Sequence, residues 1–209
     1  MLVRPRRRVR SNGGRLPKVE GERRVAANRL HAAVAAIFAQ CGMSAEDAGR
    51  LADSLVVSDL RGVHSHGVLR VPEYVEKLTT DGVNPRGVPQ VARDAGAALV
   101  VDGDNSMGQI AATFAMQAAI KRARTTGLAA AAVRGSNHCG AMAYFAMIAL
   151  EAGMVGLATT NALPTMAAWG GLDKIVGINP LGIAIPADTE PPWMACCSRL
   201  AASRERGWR

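Results

Sequence analysis

Apolar residues recur at three- and four-residue spacing through residues 25–40, where Leu30, Val34, Ile37, Phe38 and Cys41 share one helical face. Gly42 closes that predicted helix, since glycine takes a left-handed C-terminal turn without a steric cost. Ser44 opens a second helix. Its S-x-x-D spacing to Asp47 makes a capping box, and Glu46 and Asp47 suit the positive end of the helix. The apolar face of this helix runs through Ala48, Leu51, Ala52, Leu55 and Val56, and Gly62 stops it. A third helix is predicted from near Pro72, a good first-turn residue, to about Thr80, ahead of Gly82.

From residue 83 the pattern changes. Residues 88–94 ("VPQVARD") and 97–104 ("AALVVDGD") read as short paired strands. Residues 108–127 predict a strongly amphipathic helix closed by Gly127. Residues 128–135 ("LAAAAVRG") predict a buried strand from their uniformly small, apolar side chains. Ser136 is expected to cap a helix over about 140–152 that Gly153 ends. A strand follows at 154–161, then a Gly/Pro-punctuated loop, then a last strand at 181–187. The pattern is a helical N-terminal segment (25–82) followed by an α/β body (83–187), and it contains no internal repeat.

Charge changes this picture only at the ends. Residues 1–24 hold nine Lys/Arg against two Asp/Glu, and residues 190–209 hold four Arg against two Glu. The middle, 25–189, is nearly neutral, with twelve basic and thirteen acidic residues. The overall charge of +8 therefore does not make the body a nucleic-acid binder. The arginine tract "RPRRRVR" lacks the interleaved aromatic residues of an RNA-binding arm and reads as a disordered, solvated extension. No stretch approaches the roughly 20 apolar residues that span a bilayer. The four cysteines (Cys41, Cys139, Cys196 and Cys197) form no C-x-x-C pair, and they read as free thiols of a reducing, cytoplasmic compartment.

Two polar groups carry candidate chemistry. His64-Ser65-His66-Gly67 follows the end of the second helix, with Arg61 before it and Arg70 after it. Three readings compete: half of a metal site, an acid/base catalyst, or a polar surface turn. A metal needs a third ligand, and neither His31 nor His138 lies in an H-E-x-x-H or cysteine pattern. A catalyst needs less. Histidine exchanges a proton near neutrality, Ser65 is placed to join its hydrogen bonds, and Arg70 suits a carboxylate. The second group, "RGSNHCGA" (134–141), lies where a strand gives way to a helix N-terminus. Unpaired N–H groups there suit an anion, although a capped helix with a hydrogen-bonded histidine explains the same residues. No G-x-G-x-x-G occurs, so an ordinary Rossmann fingerprint is absent.

The segments "SDLRGVHSHGVLRVPEYVEKL", "VRGSNHCGAMAYFAMIALEAGMVGLATTNALPTMAAWGG" and "GINPLGIAIP" together resemble the malate/L-lactate dehydrogenase family of NAD(P)-dependent oxidoreductases, over about residues 25–190. The resemblance implies a non-Rossmann mixed α/β fold that binds NAD or NADP, acts on a 2-oxo or 2-hydroxy acid such as malate or lactate, and forms a homodimer. By it, residues 25–82 become the substrate and catalytic segment and 83–187 a partial cofactor domain. His66 matches the proton donor and Ser65 its relay. Arg70 matches a substrate-carboxylate contact, and Asn179, before Pro180, matches the turn beside the substrate. His138 matches an acid/base and cofactor-side residue. Gly140, Ala141, Met142 and Asn161 are expected against the cofactor, and no metal is implied. Two departures stand out. Ile178 occupies a position where the family usually has Thr. No Asp follows Asp188, where the family continues through a relay Asp. Residues 188–209 therefore read as a divergent tail on an α/β domain incomplete at its C-terminus. The alternative expectation is an inactive fragment that acts at most as a dimerisation partner.

Overall fold

The computed structural model describes residues 24–187 and the backbone of the strand 194–197. The basic extension falls outside the described residues save for Arg24, as does most of the divergent tail. The chain is a mixed α/β protein. Three helices, α1 (Ala27–Gln40), α2 (Ala45–Leu60) and α3 (Val71–Thr79), precede a body of two further helices, α4 (Gly108–Thr126) and α5 (Met142–Glu151), and short strands.

The helical segment follows its periodicity closely. Ser44 accepts from the amide of Asp47 at the start of α2, satisfying one N–H that the helix itself leaves unpaired. All five residues expected on the inner face of α2 are buried. Ser54 and Ser58 are buried with them because their hydroxyls donate back to Leu51 and Ser54 carbonyls one turn earlier. On α1, Val34 and Phe38 are buried while Ile37 turns 40% of its surface outward, so the stripe is narrower than expected. The core gathers Phe38, Leu51, Leu55, Tyr74 and Leu78. It also takes in Val83, Met107 and Ile110, which tie the start of α4 to the helical segment.

In the body, β1 (Gln90–Ala95) pairs antiparallel with β2 (Ala98–Ser106), and β2 pairs parallel with β3 (Ala130–Ser136) through the α4 crossover. A second sheet orders β4 (Gly156–Thr159), β7 (Leu181–Ala184) and β8 (Met194–Cys197), all antiparallel. The expected loop between β4 and β7 contains a small hairpin, β5 (Met166–Ala167) with β6 (Lys174–Val176). Gly182 allows β7 to lie against the first turn of α5, since a Cβ there would stand 2.8 Å from the Ala143 nitrogen.

Three expectations are corrected here. β3 is not a buried strand: it lies at the edge of its sheet and is mostly exposed, because a run of alanines is compatible with a thinly covered face as well as with a core. α4 is not a simple amphipathic helix. Its first half, including Gly108, Gln109, Ile110, Ala111, Thr113 and Ala115, is buried, and its second half lies toward solvent. Ser136 caps no helix. It ends β3, and α5 begins at Met142 behind Ala141, with no side-chain cap.

Candidate active site

The His64–His66 segment is a tight 3-10 turn between α2 and α3, followed by a second such turn at Val68–Arg70. Asp59, in the last turn of α2, braces it. One carboxylate oxygen lies 2.8 Å from His64 Nδ1, and the other accepts from the Val68 amide at 2.8 Å. Gly67 is required beneath that carboxylate, because a Cβ there would lie 2.1 Å from an Asp59 oxygen. The two histidines thus part company. His64 is tethered at the surface, with 72% of its side chain exposed, while His66 is half-buried.

Ser65 Oγ lies 2.9 Å from His66 Nδ1. Arg70 folds back on the same turn: its Nε donates to the Ser65 carbonyl at 2.7 Å and its Nη1 to Glu73 at 2.8 Å. Glu73 also accepts from Lys77, and these hydrogen bonds hold its carboxyl down at about 2. Burial lowers the His66 pKa, and the neighbouring Arg70 charge lowers it further.

His138 arrives from the turn after β3. That turn is pinned from two sides. Asn137 Nδ2 donates to the carbonyl and side chain of Asn105 and to the Ser106 carbonyl. Gly108, at the start of α4, leaves room for the turn to press close: a Cβ there would stand 2.2 Å from the Asn137 oxygen. The His138 ring then lies 6.1 Å from that of His66, centroid to centroid, and is tilted from it by only 24°. His138 Nδ1 is 2.6 Å from the Tyr74 hydroxyl, and Gln109 Nε2 donates to that hydroxyl at 3.1 Å. Desolvation is the main cause that depresses the His138 pKa to about 4, with the Arg70 charge next. Burial pushes the Tyr74 phenol well above its usual value.

The structure therefore brings His66, Ser65, Arg70 and His138 together. Gly140 (φ +77°) follows directly, with Gln109 Nε2 3.2 Å from where its Cβ would be. Ala141 leads into α5. The Met142 side chain is buried in the protein interior, so this residue offers a ligand only its backbone. Asn161 is exposed after β4. Asn179 (φ +45°) turns its Oδ1 to the Ala162 amide, tying the approach to β7 to the turn after β4. Among the described residues, no group of three His, Cys, Asp or Glu side chains is arranged to hold a metal ion.

Sequence reasoning missed Tyr74, Gln109 and Asp59. Tyr74 was legible in part, lying one helical turn beyond Arg70. Gln109 shows only as a polar residue inside an apolar run, a weak signal until its burial is seen.

Two stacked histidines beside an arginine, on a mixed α/β frame without a dinucleotide-binding glycine motif, suit proton exchange with a small carboxylic acid. The chain belongs to the malate/L-lactate dehydrogenase family, whose profile matches residues 25–204. It is 39% identical over 168 residues to a malate dehydrogenase of Pyrococcus horikoshii, an alignment covering 80% of this chain and 47% of that protein. It is also 38% identical over 148 residues to an L-sulfolactate dehydrogenase of Methanocaldococcus jannaschii, covering 71% of this chain and 43% of that one. The solved structure of malate dehydrogenase from Pyrococcus horikoshii OT3 superposes with a TM-score of 0.84 at 36% identity, covering 88% of this chain and 53% of that one. The chain spans about half the length of the curated relatives it matches.

Proposed function

We propose that this chain carries the proton-transfer side of an NAD(P)-dependent 2-hydroxy-acid dehydrogenase acting on an acid such as malate or lactate, as a cytoplasmic homodimer. The observation that carries the reading is the stacking of His66 against His138 at 6.1 Å, with Arg70 on the same turn as His66. In the reducing direction His66 delivers a proton to the oxygen at C2, and Ser65 holds its other ring nitrogen. Arg70 faces the substrate carboxylate with the part of its guanidinium that Ser65 and Glu73 leave free. The residues around α5 fit a nicotinamide cofactor. The helix N-terminus has no side-chain cap and no acidic residue in its first turn, and Gly140 opens the backbone just before it. His138, Gly140, Ala141, the Met142 backbone and Asn161 would hold that cofactor. When bound, it supplies or takes the hydride at C2.

The test is turnover of the purified chain with NADH and with NADPH against pyruvate, oxaloacetate and related 2-oxo acids. His66→Ala is expected to cost roughly 10²- to 10⁴-fold, and near-normal turnover in that variant contradicts the assignment. A second reading, that the chain is inactive by itself, rests on the exposed apolar side chains of the sheet region, among them Leu163, Trp169 and Leu172 at 81%, 81% and 97% exposure. A folded chain without turnover on any of these acids favours it.

A further inference from the structure

The hydrogen bonds behind His138 have a direction, and that direction distinguishes the two histidines. We propose that Gln109 is a positioning residue: by donating to Tyr74 it turns the tyrosyl hydrogen onto His138 Nδ1, keeps the His138 proton on Nε2, and leaves His66 as the proton carrier of the pair. The division of labour rests on the dehydrogenase reading above, but the tautomer does not.

The chain of bonds runs inward from a buried amide. Gln109 is fully buried, and its Nε2 donates to Tyr74 Oη at 3.1 Å. The phenol is likewise fully buried and stays protonated. With its oxygen already receiving the Gln109 hydrogen, its own hydrogen is directed to His138 Nδ1, 2.6 Å away. A neutral imidazole that accepts at Nδ1 carries its proton at Nε2. Such a ring offers its ligand a hydrogen-bond donor only. It can polarise a carbonyl oxygen, but it gives up no proton near neutrality. Proton delivery then falls to His66, whose Nδ1 meets a serine hydroxyl that can donate or accept.

The opposite polarity requires the Gln109 amide to be reversed. Its carbonyl would take the Tyr74 hydrogen, Tyr74 would accept from His138 Nδ1–H, and Nε2 would become a base. The side chain is instead placed with Nε2, not Oε1, toward the Tyr74 hydroxyl. Gln109 Oε1 is buried without a partner among the described residues. Gly140 leaves the amide its room on that side, since a Cβ there would stand 3.2 Å from Nε2.

The tautomer is read by two-bond ¹H–¹⁵N correlation of the imidazole nitrogens in the ¹⁵N-labelled chain, with His138 assigned from its loss in His138→Gln. The expected wild-type pattern is a pyridine-type Nδ1 and a pyrrole-type Nε2. Gln109→Leu removes the donor that sets the polarity and should turn His138 from one tautomer into a mixture. Tyr74→Phe, which keeps the ring packing, should do the same and covers the case in which Gln109→Leu fails to fold. A pyrrole-type Nδ1 in the wild type overturns the proposal, as does an unchanged single tautomer in both folded variants. In turnover of a 2-oxo acid, where His66 must start protonated, His66→Gln should abolish the alkaline limb of the kcat/KM profile, whereas Gln109→Leu should lower kcat and retain that limb. Loss of the limb in Gln109→Leu assigns proton transfer to His138 and overturns the division of labour. The expected tautomer in a chain without turnover would count against the dehydrogenase reading and leave the Gln109 assignment standing.

Discussion

The helical segment and the second half of the body solve the same problem differently. In the first, Phe38, Leu51, Ala52, Leu55 and Tyr74 are fully buried, and the side chains that hold His66 are fixed by contacts within this chain. In the second, Leu157, Leu163, Trp169, Leu172 and Ile175 each expose more than half their surface. A region that closes its own core orders its site residues by itself. A region that presents apolar side chains to water has positions still open to whatever covers them. The candidate site lies at the boundary, with His66, Arg70 and Tyr74 on the closed side. His138 is carried there by a turn pinned to β2 and α4.

The sharpest way to break the comparison is to delete matched side chains from the two regions. Leu55→Ala is expected to cost about 2–5 kcal/mol, because a fully buried side chain leaves a cavity behind. Leu172→Ser should change stability by less than about 0.5 kcal/mol, since that side chain is 97% exposed. Urea unfolding of the two variants measures both, and equal costs would abolish the contrast.

A smaller effect is expected where the helical region shapes the site. Gly67→Ala places a methyl group against the Asp59 carboxylate and should cost about 1–3 kcal/mol. In an Asp59→Gly background the same change should be nearly neutral. A double-mutant cycle reads the coupling, and additivity would show that Asp59 does not shape the turn.

The smallest effect is the pH dependence. His66 and His138 both have pKa values below the usual imidazole value, His138 at about 4. Between roughly pH 6.5 and 4 the unfolded chain binds protons that the folded chain refuses. The stabilisation from keeping these rings neutral is thus present above about 6.5 and is lost as pH falls through the folded values. Glu73 titrates lower still, at about 2, and adds its loss only below the ordinary carboxylate range. Thermal melts between pH 8 and 4 should show Tm falling on the acid side, by roughly 2–4 °C per kcal/mol lost. His138→Gln should flatten that slope, and an unaltered slope would remove His138 from the account.

The amino-acid sequence by itself determined the helices, their stops at Gly42, Gly62, Gly127 and Gly153, and the inner face of α2, because these depend on neighbours three or four residues away. It also displayed the His64–Arg70 and Ser136–His138 groups, and family resemblance joined them. It did not determine burial where side chains are small and uniform, which is why β3 was misjudged. Nor did it determine the role of Ser136, whose capping geometry depends on where α5 begins. Only the tertiary structure decided that His66 and His138 stack, that Asp59 holds the turn between them and α2, and that Gln109 lies behind Tyr74. Those contacts join α2, α3, α4 and the turn after β3. They exist only because Met107 and Ile110 anchor α4 in the helical core and Gly108 admits the His138 turn. Such long-range packing leaves no periodic mark along the chain, and a buried glutamine in an apolar run gains its meaning only from what surrounds it.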